Sequence, residues 1–273
     1  MTDAAQPTGD LRSDASPHEP LLLLASASPG RRAILRAAGI EHSTLPVDLD
    51  EDAILARARE DAAAAAARSG AEDAVGDESP VGGAPVGGDA AALTVADEVL
   101  LLAREKALAA TRRSEGGYVV LGCDSMLELD GEAIGKPHTP ERASARWRAM
   151  RGRSAVLHSG HWLVDDRDVA EGGTGATFGV TASCGITVAE VSDEEIDAYV
   201  ATGEPLGVAG GFTIDGLAGP FIERIDGDHH AVVGLSLPLL RRMLGEIGLS
   251  VHELWEESVL PTVPDPTAGP ADA

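Results

Sequence analysis

Aromatic side chains are nearly missing from this chain, at 3% of 273 residues. Hydrophobic residues still reach 44%, so aliphatic side chains and alanine must fill most of the core. Cysteine is scarce too. Two residues, Cys123 and Cys184, do not make a disulfide scaffold in a chain this long. Both sit in apolar, strand-like sequence, where a buried thiol is expected. No apolar run approaches the roughly 18 residues of a membrane span. Leu21 to Leu24 is too short for a signal peptide and is followed by Arg31 and Arg32 rather than a cleavage site, so a cytoplasmic location is the default expectation. Positive charge is in deficit, with 21 Lys and Arg against 45 Asp and Glu and a formal charge of −24. A field of that sign repels a nucleic-acid backbone, and few aromatics are available to stack on bases. Neither nucleic acid nor membrane is an expected partner. A small anion held in a local basic pocket stays open. There is no internal repeat.

Glycine and proline are abundant, at 32 and 16 residues, and concentrate in a few stretches. Residues 1–19 are polar and aperiodic and read as a disordered tail. Residues 20–250 read as one domain, interrupted by a low-complexity Ala/Gly/Pro/Asp insert at 65–92. Residues 260–273 form a Pro-rich tail. Within the domain, Leu21–Ala25 reads as a buried strand. Ser28 and Pro29 then open a helix that Gly39 stops. Ala96–Ala109 is helical. Tyr118–Cys123 is a strand running into Asp124, and Asp130-Gly131 turns a hairpin between Met126–Leu129 and Glu132–Ile134. Thr139 caps a helix over Pro140–Arg151. Ala155–Val164 and Thr177–Val191 alternate like strands. Ser192 to Glu195 is a capping box for a short helix to about Ala201, with Gly203 as its stop. Phe221–Ile225 is a strand and Ser236–Ile247 a last helix. Strands and helices mix without strict alternation, which predicts an α/β or α+β fold with a mixed sheet.

Several segments carry chemistry. Ser26-Ala-Ser-Pro-Gly-Arg-Arg32 joins a strand to a helix N-terminus, where backbone N–H groups and the helix dipole favour an anion. Two arginines in a first helical turn are badly placed unless they meet a phosphate; the ordinary alternative is a cap with two solvated arginines. Asp124 follows a buried strand, where it can take a proton from water or hold a metal, or simply cap a turn. Gly131 to Pro137 is not a P-loop, because three residues separate the glycines and Pro follows the lysine. It does place Lys136 within reach of a phosphate. The acidic run Asp48 to Asp52 is either a metal-facing loop or a solvated helix start. Lys106 sits on a helix, where a lone basic residue is ordinarily solvated. Gly207–Gly219 carries five glycines around Asp215, suiting close approach of backbone to a ligand or a plain loop. His158 and His161 point to opposite faces of a strand. They and the pair His229-His230 lack the partners of a zinc site and read as structural or surface residues.

In this order the segments closely resemble the Maf family of nucleotide pyrophosphatases. The matching elements are Ser26-Ala-Ser28-Pro29-Gly30-Arg31, Glu51, Lys106, Gly122-Cys-Asp124-Ser125, Gly135-Lys136-Pro137, Ala209-Gly210 with Gly216, and Ile225-Asp-Gly-Asp228 with Gly234-Leu235. Ser236 stands where the family has proline. The resemblance spans roughly residues 21–250 apart from the insert. It implies an elongated mixed-sheet α/β fold of the Maf/ITPase-like kind, with two lobes around a cleft. It implies hydrolysis of nucleoside triphosphates to monophosphate and pyrophosphate with a divalent metal, Mg²⁺ or Mn²⁺. The implied roles are Asp124 as general base and metal ligand, Glu51 at the metal, and Ser28, Arg31, Lys106 and Lys136 on the phosphates. Base preference would lie with Gly30, Ser125 and Asp215, where dTTP/UTP-selective members carry Arg, Thr and Gln; that departure leaves the base open and suggests modified or several nucleotides. A non-catalytic nucleotide-binding regulator of cell division and a single-phosphate phosphatase are the rival functions. A homodimer is left open.

Overall fold

In the computed structural model, residues 21–72 and 93–256 are described. Both tails and most of the low-complexity insert lie outside the described residues. Seven strands form one mixed sheet in the order β2-β1-β3-β5-β6-β7, with β4 also on β3. The strands are β1 Leu22–Leu24, β2 His42–Thr44, β3 Val119–Leu129, β4 Glu132–Ile134, β5 Ser154–Asp165, β6 Thr177–Val188 and β7 Ile222–Asp226. β1 runs parallel to β2 and β3; every other pairing is antiparallel. The helices are α1 Pro29–Ala37, α2 Glu51–Glu72, α3 Val95–Thr111, α4 Pro140–Met150, α5 Asp193–Ala201, α6 His229–Val233 and α7 Leu237–Glu246. Among the described residues no helix is long and apolar enough to cross a membrane.

Local chemistry sets the helix starts. Ser28, Thr94, Thr139, Ser192 and Ser236 each accept a hydrogen bond from a first-turn N–H, satisfying donors the helix cannot. The β3–β4 turn places Asp130 and Gly131 at φ 56° and 82°, the conformation that a two-residue hairpin turn requires. α2 runs unbroken to Glu72, because the alanine run favours helix and carries it into the insert. Arg59 fastens it to α3 by a two-pronged bond to buried Glu98, at 2.6 and 2.8 Å.

β3 is the spine. Leu127 and Leu129 join α4 and α5 in one apolar cluster, with Trp147, Tyr199 and Ile196. Val119, Leu121 and Cys123 join α1 and α7 in a second, with Leu35 and Leu240. These residues lie on one face of the strand, so that face is apolar at both ends. Between them sit Ser125 on β3 and, across on β5, the fully buried Ser159 and His161. The two apolar lobes therefore meet across a polar strip. Val120 belongs to a smaller cluster under α3. α3 lies very close to that face, because Gly122 and Gly160 carry no side chain: a Cβ on Gly122 would meet the Ala103 carbonyl at 2.1 Å, and one on Gly160 the Val99 carbonyl at 2.4 Å.

One sequence expectation is corrected here. Asp124 is not at the end of a strand; β3 continues five residues further, to Leu129. Tyr118–Cys123 and Met126–Leu129, expected as separate strands, are one continuous strand through Asp124. β1 pairs with β3 only up to Leu24 opposite Leu121, so Asp124 lies just past the end of its parallel neighbour while still paired with β5. The open edge that a strand end would provide is supplied by the shortness of β1.

Candidate active site

A cleft of about 700 Å³ lies among the described residues. It opens at the end of β1, where the chain leaves the sheet as Ala25-Ser26-Ala27-Ser28 and turns into α1. Glu51, at the start of α2, and Lys106, on α3, line one wall. Asp124 and Ser125 from β3 and Lys136, just after β4, line another. The late glycine segment closes the cleft with Phe212, Thr213 and Asp215, and α6 adds Val232 and Val233. Gly210 and Gly211 take φ of 71° and 75°, and the Gly211 carbonyl accepts from Trp147 Nε1 at 2.8 Å. That bond ties the segment to the core of the first lobe.

Asp124 is buried. One carboxylate oxygen accepts from Lys106 Nζ at 2.6 Å, and the same ammonium lies 2.7 Å from Glu51 Oε1. Burial pushes the Asp124 carboxyl above its ordinary range, against the opposing pull of Lys106 and Arg31. A carboxylate raised in this way is a stronger base than an exposed one. The sequence holds only two lysines, Lys106 and Lys136, and both line this cleft. Lys106 is thus not the solvated helix residue that its position alone suggests.

Arg31 is buried and spoken for by the protein. Its Nε donates to Gly234 O at 2.8 Å, Nη1 to Ser26 Oγ at 3.0 Å and Nη2 to Ser125 Oγ at 3.1 Å. It joins α1, β3 and the loop after α6. The chain continues through Ser125 to Ser159, 2.7 Å away, and from Ser159 Oγ to the Ala231 carbonyl at 2.7 Å. Its direction is fixed at both ends, since a guanidinium only donates and a carbonyl only accepts. Ser159 gives its proton to Ala231, so Ser125 gives its own to Ser159, accepts from Arg31 and keeps one lone pair for the cleft. His161, beneath this chain, is held between the Ser159 carbonyl at 3.0 Å and the Ser236 N–H at 2.9 Å. The Ser236 bond makes Nε2 the acceptor, so Nδ1 carries the hydrogen. Burial, and then Arg31, push His161 down to about 4, which keeps it neutral.

Comparison with known proteins fits this geometry. The family model described as Maf-like protein matches residues 84–247. The chain belongs to the Maf-like family. A protein of Leifsonia xyli named nucleoside triphosphate pyrophosphatase is 45% identical over 240 residues, covering 87% of this chain and 97% of that one. The protein of the same name from Streptomyces coelicolor is 42% identical over 235 residues, covering 86% and 94%. Among solved structures, the Staphylococcus aureus Ham1 protein aligns with 82% of this chain and 98% of its own at 13% identity, with a TM-score of 0.37.

Ser28, Arg31, Glu51, Lys106, Asp124 and Lys136, matched to the Maf pattern from sequence, and Gly30, Ser125 and Asp215, expected at the base, all line the one cleft. Asp48 and Asp52 do not line it, and Asp50 instead caps the start of α2, accepting from Ala53 N at 3.0 Å. Sequence reasoning passed over Ser159 and read His161 only as a structural or surface residue; both hold the site from behind. Their signal was polar residues at alternate positions on the inward face of an otherwise apolar strand. His158 faces the other way, bonded to Glu128 at 2.9 Å and Ser183 at 2.8 Å. His230 bonds Asp228 at 3.1 Å. Both cysteines are buried, and burial pushes both thiols up, Cys123 to about 11, which disfavours the nucleophilic thiolate.

Proposed function

We propose that this Maf-like chain is a nucleoside triphosphate pyrophosphatase, breaking the anhydride between the α- and β-phosphates to give a monophosphate and pyrophosphate. The observation that carries the reading is Asp124, a buried carboxylate with a raised pKa, in a cleft that also gathers both lysines and the N-terminus of α1. Asp124 takes a proton from water as the water oxygen adds to phosphorus and the bridging oxygen leaves. Lys106, Lys136 and the uncommitted N–H groups of Arg31 lie where charge builds on the phosphoryl oxygens. Ser28 and the α1 N-terminus add neutral donors. Lys106 also orients Asp124 directly.

Asp124 and Glu51 suit a divalent cation. Two carboxylates already converge on one ammonium, and Mg²⁺ or Mn²⁺ takes oxygen donors, Mg²⁺ with few from the protein and the rest from water and phosphate. When bound, the metal neutralises phosphate charge and acidifies water. Gly30, Ser125 and Asp215 are the base-facing positions. A Cβ on Gly30 would meet Val233 at 3.0 Å, so a larger residue there needs Val233 to move. Ser125 and Asp215 present acceptors, which favours a base edge richer in donors than thymine or uracil, whose single N3–H lies between two carbonyls; modified or several nucleotides fit this better than dTTP or UTP alone. The relatives' printed names support the reading, and the substrate is a nucleotide.

Product analysis tests it. With Mg²⁺ or Mn²⁺, a panel of canonical and methylated triphosphates is expected to yield pyrophosphate. Orthophosphate would indicate a phosphatase instead, and tight binding without turnover a regulator. Cleavage of dTTP and UTP alone would overturn the specificity proposal.

A further inference from the structure

Beside the main cleft lies a second hollow of about 330 Å³, between β4 and α4. Ala133, Ile134, Ala145 and Ala149 give it an apolar floor, and Arg142 and Arg146 rim it. The charges around it are unusual for this chain. Acidic residues outnumber basic ones 45 to 21, and the other arginines on α4 and the turn after it have found carboxylates. Arg148 meets Asp193 and Asp197, Arg151 meets Asp193, and Arg153 meets Asp130. Arg142 and Arg146 have none in ion-pair range among the described residues, although they lie one helical turn apart, where like charges repel. Arg146 is pinned rather than swinging free, since Nη1 donates to the Gly135 carbonyl. Burial, and then Arg142, push its guanidinium down, so the pair is held together at a cost.

We propose that the Arg142–Arg146 hollow is a binding site for a phosphoryl oxyanion, separate from the main cleft. Two guanidinium groups one turn apart bring forked donors to one rim, the chemistry that suits a tetrahedral phosphate. An oxyanion would supply the negative charge that no carboxylate provides. The hollow adjoins the cleft through consecutive residues: Gly135 lines the former and Lys136 the latter. Two sources share the chemistry, pyrophosphate leaving the cleft and free inorganic phosphate. Pyrophosphate as the source rests on the triphosphate reading; the site itself does not.

The test is site-resolved NMR on the full chain. Sodium pyrophosphate, inorganic phosphate and, at matched ionic strength, sodium chloride are titrated while the side-chain Nε–H signals of Arg142 and Arg146 and the Gly135 amide are followed. Saturable shifts of all three with a phosphate species, but not with chloride, are expected. A response to pyrophosphate over phosphate assigns the product, and the reverse assigns free phosphate. The variant R142Q, which leaves the Arg146–Gly135 bond in place, should weaken the Gly135 response several-fold while initial triphosphate turnover stays unchanged. Shifts no larger than chloride produces, or an unchanged Gly135 response in the variant, would overturn the site. Wild-type protein that binds phosphate here but turns over no triphosphate would sink the proposed function and leave this site standing.

Discussion

Asp124, the base of the proposed reaction, is made hard to ionise by burial. Its raised carboxyl places the acid limb of the rate profile above the ordinary aspartate range, because the base works only when deprotonated. The kcat/KM profile of wild type is expected to fall on the acid side at a pH above the ~3.9 of a free aspartate; a limb at or below that value would contradict the assignment. The two lysines offer a second check. Amine-directed acylation can reach only Lys106, Lys136 and the chain's α-amino group. Modification should abolish turnover, and a bound triphosphate analogue should protect both lysines, as read by peptide mass spectrometry. His161 makes a prediction about stability. Above pH 6.5 it is neutral folded or unfolded. Below that the unfolded chain takes up a proton that the folded site refuses until about 4, so stability present at neutral pH is lost as pH falls through this window. The loss is roughly 3 kcal/mol for a shift of this size. His161→Gln keeps an acceptor for the Ser236 N–H, and denaturant melts between pH 7 and 4 should show a flatter slope than wild type. The residues that touch the cleft were legible because they stand in an ordered series of short motifs. Ser159 and His161 were not, since nothing in a strand's pattern says which buried polar residue faces a site.

At the scale of elements, β3 and α3 hold the site by their closeness. Gly122→Ala would drive a Cβ to 2.1 Å from the Ala103 carbonyl and 2.7 Å from Ala107 N, pushing α3 and Lys106 off Asp124. A destabilisation of about 3 kcal/mol or more is expected in denaturant melts. Gly245→Ala, in the last turn of α7 with nothing within 4 Å, should instead stabilise by roughly 0.5–1 kcal/mol. Equal effects at the two positions would contradict the packing described. Elements with a cap or a clear period were readable in advance: α1, α3, α4, α5 and α7 begin at or within a residue or two of the expected positions. β2 and α6 were missed. β2 is three residues of His, Ser and Thr, a strand only because the open edge of β1 needs a partner. α6 is five residues, too short to show a period.

At the scale of the whole molecule, the central fact is a cleft in which Arg31, Lys106 and Lys136 offset Glu51, Asp124 and Asp215, inside a strongly negative protein. The formal charge is −24, yet the cleft collects both lysines and a buried arginine. Such a molecule repels long polyanions and admits a small one. The mixed sheet was legible from irregular alternation of strands and helices, and the two lobes from the family resemblance. The polar strip that divides them was visible only once β3 and β5 were paired. Turnover of a triphosphate panel with Mg²⁺ or Mn²⁺, followed as pyrophosphate release by wild type and Asp124→Asn, tests the account most directly. Asparagine keeps the shape and removes the base, so pyrophosphate release by wild type and a fall of about 10² to 10⁴ in kcat for the variant is the expected result. Release that survives the substitution would mean that Asp124 is not the base, and no pyrophosphate from any nucleotide would contradict the function itself.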